Sequence, residues 1–257
     1  MIALGYPRWL DYYLSGKLKM RCALRPPLTY PRCLAVAVTL CFTGLTTAVA
    51  DVSPGTAFST PKPFEAHYRL KVDGWPSANI THHLSQEESH WLSDMRFSIA
   101  VVSGEERSRF SVADDATRAL LYNSRYSLFG IGNDYQLKEE QLTTLDRQTA
   151  LFDLSRRAGK ENCSASAPCD LRFLDHEGEE EHYQYYMESQ APINVPAGEF
   201  DALNVIMLNA EKNDRELHLS FHPDWPGLLL SAEYFKDGER ETQIALTDFN
   251  PSGGDTP

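Results

Sequence analysis

Any chemistry this chain performs has to come from its histidines, one pair of cysteines, scattered carboxylates and a set of tyrosines. All eight histidines (His67, His82, His83, His90, His176, His182, His218 and His222) lie beyond residue 60. His82 and His83 are consecutive, so on a strand they point to opposite faces and do not chelate one ion. His218 and His222 share a face but stand about 13 Å apart at strand rise, too far for one ion. No metal ligand or cofactor is assigned. Glu177 and Glu179-Glu180-Glu181 flank Gly178 without the alternating oxygen ligands of a calcium loop. They read as a solvated hairpin tip and a charged strand edge that discourages edge pairing. There is no G-x-S-x-G elbow, phosphate-binding loop, H-E-x-x-H or EF-hand pattern. Gly130-Ile131-Gly132 lacks the third glycine of a dinucleotide loop and reads as a turn between strands. No catalytic residue is assigned.

Two features remain. Cys163 and Cys169 bracket Ser164-Ala165-Ser166-Ala167-Pro168, and a close pair around small residues and a proline reads as a local disulfide in an oxidising compartment. A redox motif would need C-x-x-C, and zinc would need two further ligands nearby. Tyr122, Tyr126 and Tyr135, with Tyr183 and Tyr185 further on, are the candidate lining of a ligand pocket on the concave face of a curved sheet, suited to an apolar or sugar-like ligand. Ordinary core packing with hydroxyls reaching the rim is the alternative.

The elements that would position these residues are strands. Phe64, Ala66, Tyr68, Leu70 and Val72 alternate with Glu65, His67, Arg69 and Lys71, the period of a half-buried antiparallel strand. Asp73-Gly74 turns the chain, and Ala78, Ile80, His82 and Leu84 continue the alternation. Similar runs follow: Trp91 to Val101, Phe110 with Val112, Leu120 with Tyr122 and Tyr126, Tyr135 with Leu137, and Leu171 with Phe173. Next come Tyr183 to Met187, Phe200 with Ile206 and Leu208, Leu217 to Phe221, and Leu228 to Tyr234. Asp237-Gly238 then leads into Thr242, Ile244 and Leu246, a strong hairpin signal. Residues 138–157 are undecided, because Leu142, Leu145, Leu151 and Leu154 approach helical spacing while Thr143, Thr144 and Thr149 favour extended structure. The expected fold is all-β with little helix: a strongly curved antiparallel sheet, a sandwich or a partly open barrel.

The first fifty residues differ from the rest. Arg21, Arg25 and Arg32 precede an apolar stretch from Leu34 to Leu45, and Ala48-Val49-Ala50 follows, the order of a secretory signal peptide cleaved after Ala50. The stretch is shorter than the ~20 residues of a spanning helix, and an uncleaved N-terminal anchor is the rival reading. Lipidation at Cys41 is disfavoured, since Leu40 precedes it where a small residue is needed. Either Met1 or Met20 is the start. The formal charge of the whole chain is −12; residues 1–50 hold six basic residues and one acid, leaving 18 basic and 35 acidic residues downstream, a net of −17. Such a body repels phosphate backbones, which argues against nucleic acid as a partner. The organisation expected is a signal peptide over 1–50, a flexible lead-in over 51–63, one β-rich domain over 64–250 without a transmembrane span, and a disordered tail over 251–257.

Three segments stand out in order: Phe64 to Leu70 with Asp73-Gly74, then Pro196-Ala197-Gly198-Glu199-Phe200 with Leu203-Asn204-Val205, then Phe221-His222-Pro223-Asp224 with Leu228 to Glu233, Asp237-Gly238 and Ile244 to Phe249. Together they resemble the family named domain of unknown function 3108, found in exported bacterial proteins. Leu145 to Thr149 is loosely similar to the family's central segment, and the closing strand has Leu229-Leu230 where the family carries a proline. The resemblance implies a periplasmic β-rich domain with no established activity, so it assigns no site residue. Together these readings favour a non-catalytic periplasmic binding or accessory protein of the bacterial envelope, holding a lipid, a glycan or an envelope protein. An assembly factor acting through protein–protein contacts is the first alternative, and a hydrolase with a cross-strand site the second.

Overall fold

The computed structural model of the protein describes residues 58–99 and 101–251; the leader read over 1–50, most of the lead-in and nearly all of the tail lie outside the described residues. Alternation produces fourteen strands among them. The first six form a meander of consecutive hairpins: β1 (Phe64–Val72), β2 (Ala78–Glu87), β3 (His90–Ile99), β4 (Val102–Val112), β5 (Thr117–Leu128) and β6 (Ile131–Lys138). A short 3₁₀ turn (Glu139–Gln141) and the helix α1 (Arg147–Arg157) follow. The rest of the chain is β7 (Cys169–Leu174), β8 (Glu180–Gln190), β9 (Ile193–Val195), β10 (Gly198–Phe200), β11 (Leu203–Asn209), β12 (Arg215–Phe221), β13 (Leu229–Lys236) and β14 (Glu239–Asn250).

Twelve strands make one antiparallel sheet in the order β6-β5-β4-β3-β2-β1-β14-β13-β12-β11-β8-β7, and β9 pairs with β10 alone. The fold is all-β as expected, an antiparallel sheet that is not closed and that matches a sandwich or an open barrel. Its two halves join where the first strand meets the last, with Tyr68 opposite Leu246 and Leu70 opposite Ile244. The end strands β6 and β7 do not pair. They are bridged by other means: Leu174 N donates to Leu145 O at 2.9 Å, and Ser124 Oγ donates to the His176 carbonyl at 2.6 Å. Tyr122, Leu137 and Leu174 bury one another in that seam.

Helix α1 settles the undecided stretch. It fills the concavity rather than lying on a surface, and every residue from Arg147 to Arg156 is buried. Eleven residues form a marginal helix alone, so packing must hold it. Phe152 meets Phe110 of β4 with ring centroids 4.6 Å apart, and Ser155 Oγ accepts from Gly227 N at 2.7 Å on the opposite half of the sheet. Burial of apolar side chains at about 25 cal/mol per Å² drives this assembly. Residues 58–63 also run against the body, since Phe58 N donates to Asp114 O at 3.1 Å and Lys62 stands over Trp225.

Two irregularities change which residues face inward. A bulge where β4 pairs with β5 leaves Leu120 without a partner, so Ala119 is buried opposite Phe110 and Leu120 is half-buried; the inward set of β5 is Ala119, Tyr122 and Tyr126, not Leu120. On β11 the inward residues are Val205 and Met207, where alternation from Phe200 points to Ile206 and Leu208. Ile206 is nevertheless buried, because it faces outward beneath the β9–β10 hairpin. That hairpin turns at Pro196-Ala197, with Gly198 at φ +136°, and its Ala197 N reaches Leu246 O at 3.1 Å.

Candidate functional site

Two places gather polar groups. The first is inside. On β4 the inward face carries Gly104, Glu106, Ser108 and Phe110, so a carboxylate and a hydroxyl enter the core. The start of α1 supplies their partners. Arg147 Nε donates to Glu106 Oε2 at 2.8 Å, and its Nη2 bonds both Glu106 Oε1 and the Tyr126 hydroxyl. Tyr122 Oη donates to Glu106 Oε2 at 3.1 Å, Tyr126 Oη donates to Oε1, and Gln148 Nε2 donates to the Glu106 carbonyl at 3.2 Å. Glu106 is 1% exposed and Arg147 3%. Burial pushes the guanidinium down to about 10, opposed by Asp175, so it stays charged at neutral pH. The bidentate geometry and two hydroxyl donors satisfy the carboxylate, the condition under which a buried ion pair is tolerated.

Asp146 caps the helix beside this pair. Its Oδ1 accepts from Gln148 N at 3.0 Å, Thr149 N at 3.1 Å and Ser108 Oγ at 2.6 Å, and its Oδ2 from Thr149 Oγ1 at 2.7 Å. Desolvation raises the Asp146 carboxyl and these donors oppose it. His176, at the β7–β8 turn, completes the cluster edge-on to Tyr126 at 5.2 Å. Desolvation, with Arg147 beside it, lowers His176 to about 4. Glu106 and Asp146 are enclosed by donors from the protein itself, while Gln148 Oε1 is buried without a partner and Tyr126 and His176 are half-buried at the edge of the cluster. It fastens α1 to β4, β5 and the β7–β8 turn, and it offers no atom to a substrate.

The five tyrosines do not come together. Tyr122 and Tyr126 converge on Glu106, with desolvation raising both hydroxyls. Tyr135 on β6 packs at the seam against Gly178 and lines a shallow outer recess. Tyr183 is buried and stacked on Phe173 at 5.7 Å; Tyr185 is buried with its hydroxyl on Glu161. Cys163 and Cys169 are disulfide-bonded, Cα atoms 5.4 Å apart, and tie the segment after α1 to the start of β7. Glu161 with these two sulfurs is the one close cluster of metal-type ligands among the described residues, and the disulfide uses both sulfurs. His82 is buried with Nε2 bonded to Ser93 Oγ at 2.9 Å, and desolvation lowers it to about 3. His182 bonds Asp170 Oδ1 through Nε2 at 2.7 Å and Arg172 Nη2 through Nδ1 at 3.2 Å. Both ring nitrogens are engaged, and that hydrogen bond holds the Asp170 carboxyl below its ordinary value.

The second place is outside. Between the outer face of the sheet and the β9–β10 hairpin lies a groove of about 480 Å³. Its floor runs from Arg69 and Lys71 on β1, through Gln243, Glu233, His218 and Asn204, to Glu188 on β8; Ile193 to Pro196 form the roof. That is five strand spacings, roughly 24 Å at 4.8 Å each. On the floor Ser220 Oγ donates to Asn204 Oδ1 at 2.7 Å, and Asn204 Nδ2 in turn reaches Ser189 Oγ at 3.0 Å. Glu233 is occupied by Arg240 and Gln243. Arg69 and Lys71 have no carboxylate partner among the described residues. The groove is thus cationic at its β1 end and carries a carboxylate at its β8 end.

Sequence reasoning missed Glu106 and Arg147. The signal for Glu106 was available: it sits at an inward position of an alternating run, between Gly104 and Ser108. Arg147 had none, because its partner lies 41 residues away. The groove had none either, since it forms when β9–β10 folds over strands distant in sequence.

No family model matches the chain, and no curated protein matches it significantly. Among solved structures, the Pseudomonas aeruginosa MucA/MucB complex aligns at 14% identity and TM-score 0.39, covering 74% of this chain and 51% of that one. A crystal structure of MucB aligns at 12% identity and TM-score 0.32, covering 79% and 57%. A Vibrio parahaemolyticus domain described as an outer membrane lipoprotein-sorting protein aligns at 7% identity and TM-score 0.31, covering 75% and 86%. The chain spans little more than half of the MucB chains it aligns with. Among the described residues no helix is long and apolar enough to cross a membrane. Similarity at these scores and identities identifies neither a family nor a function for this chain.

Proposed function

We propose that this is a non-catalytic accessory protein of the bacterial envelope that holds an extended polypeptide segment in the groove beneath β9–β10. The groove carries the proposal: it crosses six strands, is lined by amide and hydroxyl groups, and has opposite charges at its two ends. Its length of roughly 24 Å accommodates about seven extended residues at ~3.3 Å each. A glycan fits less well, because no Phe, Tyr or Trp ring lines the groove for a sugar to stack on. A lipid chain would need the interior, which α1 and the Glu106–Arg147 cluster fill. The hydrolase alternative gains no support, since both ring nitrogens of His182 are taken up, Glu106 is paired with Arg147, and Asp146 is held by hydroxyl and backbone donors at the start of the helix.

Envelope placement rests on the leader and its A-x-A site. Membership of the domain of unknown function 3108 family belongs to the same proposal, supported by the β1 opening, the Pro196-Ala197-Gly198 turn and the closing hairpin. A positional-scanning library of heptapeptides tests the groove. Enrichment of acidic residues toward one end and basic residues toward the other is expected, reversed in polarity by Arg69→Glu and Lys71→Glu combined with Glu188→Lys. No charge preference, or retention of oligosaccharides in its place, would refute the polypeptide reading.

A further inference from the structure

The four large apolar side chains left exposed among the described residues are Trp75 (41% exposed), Val101 (41%), Phe129 (73%) and Ile131 (81%). The antiparallel order puts all four at the same end of the sheet. Trp75 lies in the β1–β2 connection, Val101 in β3–β4, and Phe129 and Ile131 at β5–β6, so three alternate turns share one rim. Strand spacing places them in a row with steps of roughly 10 Å. The two neighbouring tips are joined, since Phe129 N donates to Val101 O at 2.8 Å.

Phe129 is held outward by its backbone. It adopts φ +54° and Gly130 φ +79°, a turn conformation that favours asparagine, aspartate or glycine at the first position. A bulky ring there gives up local stability while leaving most of its surface in water. The tip also projects. Tyr126 is level with His176 at the neighbouring turn, and Phe129 lies three residues further, roughly 10 Å beyond at strand rise.

Charge is arranged to match. No charged residue occurs between Arg96 and Glu105 or between Arg125 and Asp134, in a chain of net charge −12. The nearest charges beside Phe129, Arg125 and Asp134, pair with each other at 2.6 Å. The turns at the same end of the other half are charged: Asp175 to Glu180, Glu211 to Asp214, and Lys236 to Glu239.

We infer that the β1–β6 half of this rim docks on a lipid bilayer, its apolar tips entering the interface of zwitterionic lipid. Trp75 and Phe129 are residue types that settle at the boundary of headgroups and acyl chains. A row of separate projecting tips suits shallow insertion. A stable protein interface buries about 800 Å² per partner on a contiguous face, which this row does not present. The two joined tips that carry Val101, Phe129 and Ile131 are uncharged, which lowers the desolvation cost, and Asp73 beside Trp75 joins the acidic remainder of the rim in setting the preference against anionic lipid. The groove beneath β9–β10 is a different surface, and docking does not depend on what it holds.

The test uses the full-length chain carrying Phe129→Trp, with phosphatidylcholine vesicles whose acyl chains are brominated. To separate the rim from the apolar stretch at Leu34 to Leu45, the readout is emission from position 129, taken as the difference from the parent chain. A blue shift with at least twofold quenching is expected. Adding Val101→Asp and Ile131→Asp should abolish both without altering circular dichroism. Replacing a third of the lipid with phosphatidylglycerol at low salt should weaken them. Emission that stays water-like while the protein co-floats with vesicles would overturn the inference. So would a lipid-independent blue shift growing with protein concentration, which would make the rim a contact between copies of the chain.

Discussion

Glu106→Ala is the perturbation that isolates the buried cluster. The carboxylate accepts from Arg147, Tyr122 and Tyr126 and is 1% exposed. Truncation leaves the Arg147 guanidinium in the core without its partner and two hydroxyls without an acceptor. Removing one member of a buried pair costs about 3–5 kcal/mol, and the unpaired hydroxyls add to that. For a domain of this size, ~1 kcal/mol corresponds to ~2–4 °C in Tm, so a fall of roughly 6–20 °C is expected. Thermal and urea unfolding followed by circular dichroism at pH 7.5 would measure it. The double variant Glu106→Leu, Arg147→Met removes both charges together and is expected to be more stable than Glu106→Ala, because no ion remains buried alone. If Glu106→Ala unfolds within ~1 kcal/mol of the parent, or the double variant is the less stable of the two, the pair is not closed off from water and α1 is not fastened as described.

Two further outcomes follow from other groups. Burial lowers His82 to about 3, so between about pH 3 and 6.5 the unfolded chain binds a proton that the folded chain does not. Stability therefore falls as pH drops through that window, by about 2 kcal/mol from this residue between pH 8 and pH 5, and His82→Gln should flatten the slope of Tm with pH; equal slopes would show that His82 is not sealed. His176 acts in the same direction and the raised Asp146 carboxyl in the opposite one, so the measurement is the difference between variant and parent. Replacing Cys163 and Cys169 with alanine opens a loop of sequence separation six, worth about 2 kcal/mol in loop entropy. Denaturant unfolding should report that loss with β-sheet ellipticity retained; collapse of the sheet signal would make the disulfide a condition of folding.

Most of the strand content was legible because its cause is local. Side chains on a strand alternate between faces, so Phe64, Ala66, Tyr68 and Leu70 announce their strand wherever it sits in the sheet. The disulfide was legible for a similar reason, as a separation of six with a proline between keeps two cysteines close. Legibility failed where the environment departs from one wet face and one dry face. The sequence Arg147 to Arg157 is polar and shows little amphipathic pattern, since the helix is surrounded on all sides: Arg147 is answered by Glu106 on β4, Arg156 by carbonyls of Ser59, Ala113 and Asp114, and Asp153 by Arg157 within the helix. Ile206 broke the parity on β11 because a hairpin covers the outer face there, and Leu120 broke it through a bulge that shifts register by one.

What the amino-acid order determined unaided, then, was the strand pattern, the turns and the cysteine loop, all set by interactions within about a dozen residues. The tertiary structure alone decided that Tyr122 and Tyr126 serve a buried carboxylate, that Arg147 is its counter-ion, that a groove crosses six strands, and that Trp75, Val101, Phe129 and Ile131 share one rim. Each depends on which strands become neighbours. That choice is made by the summed burial of the core and leaves little trace at any single position.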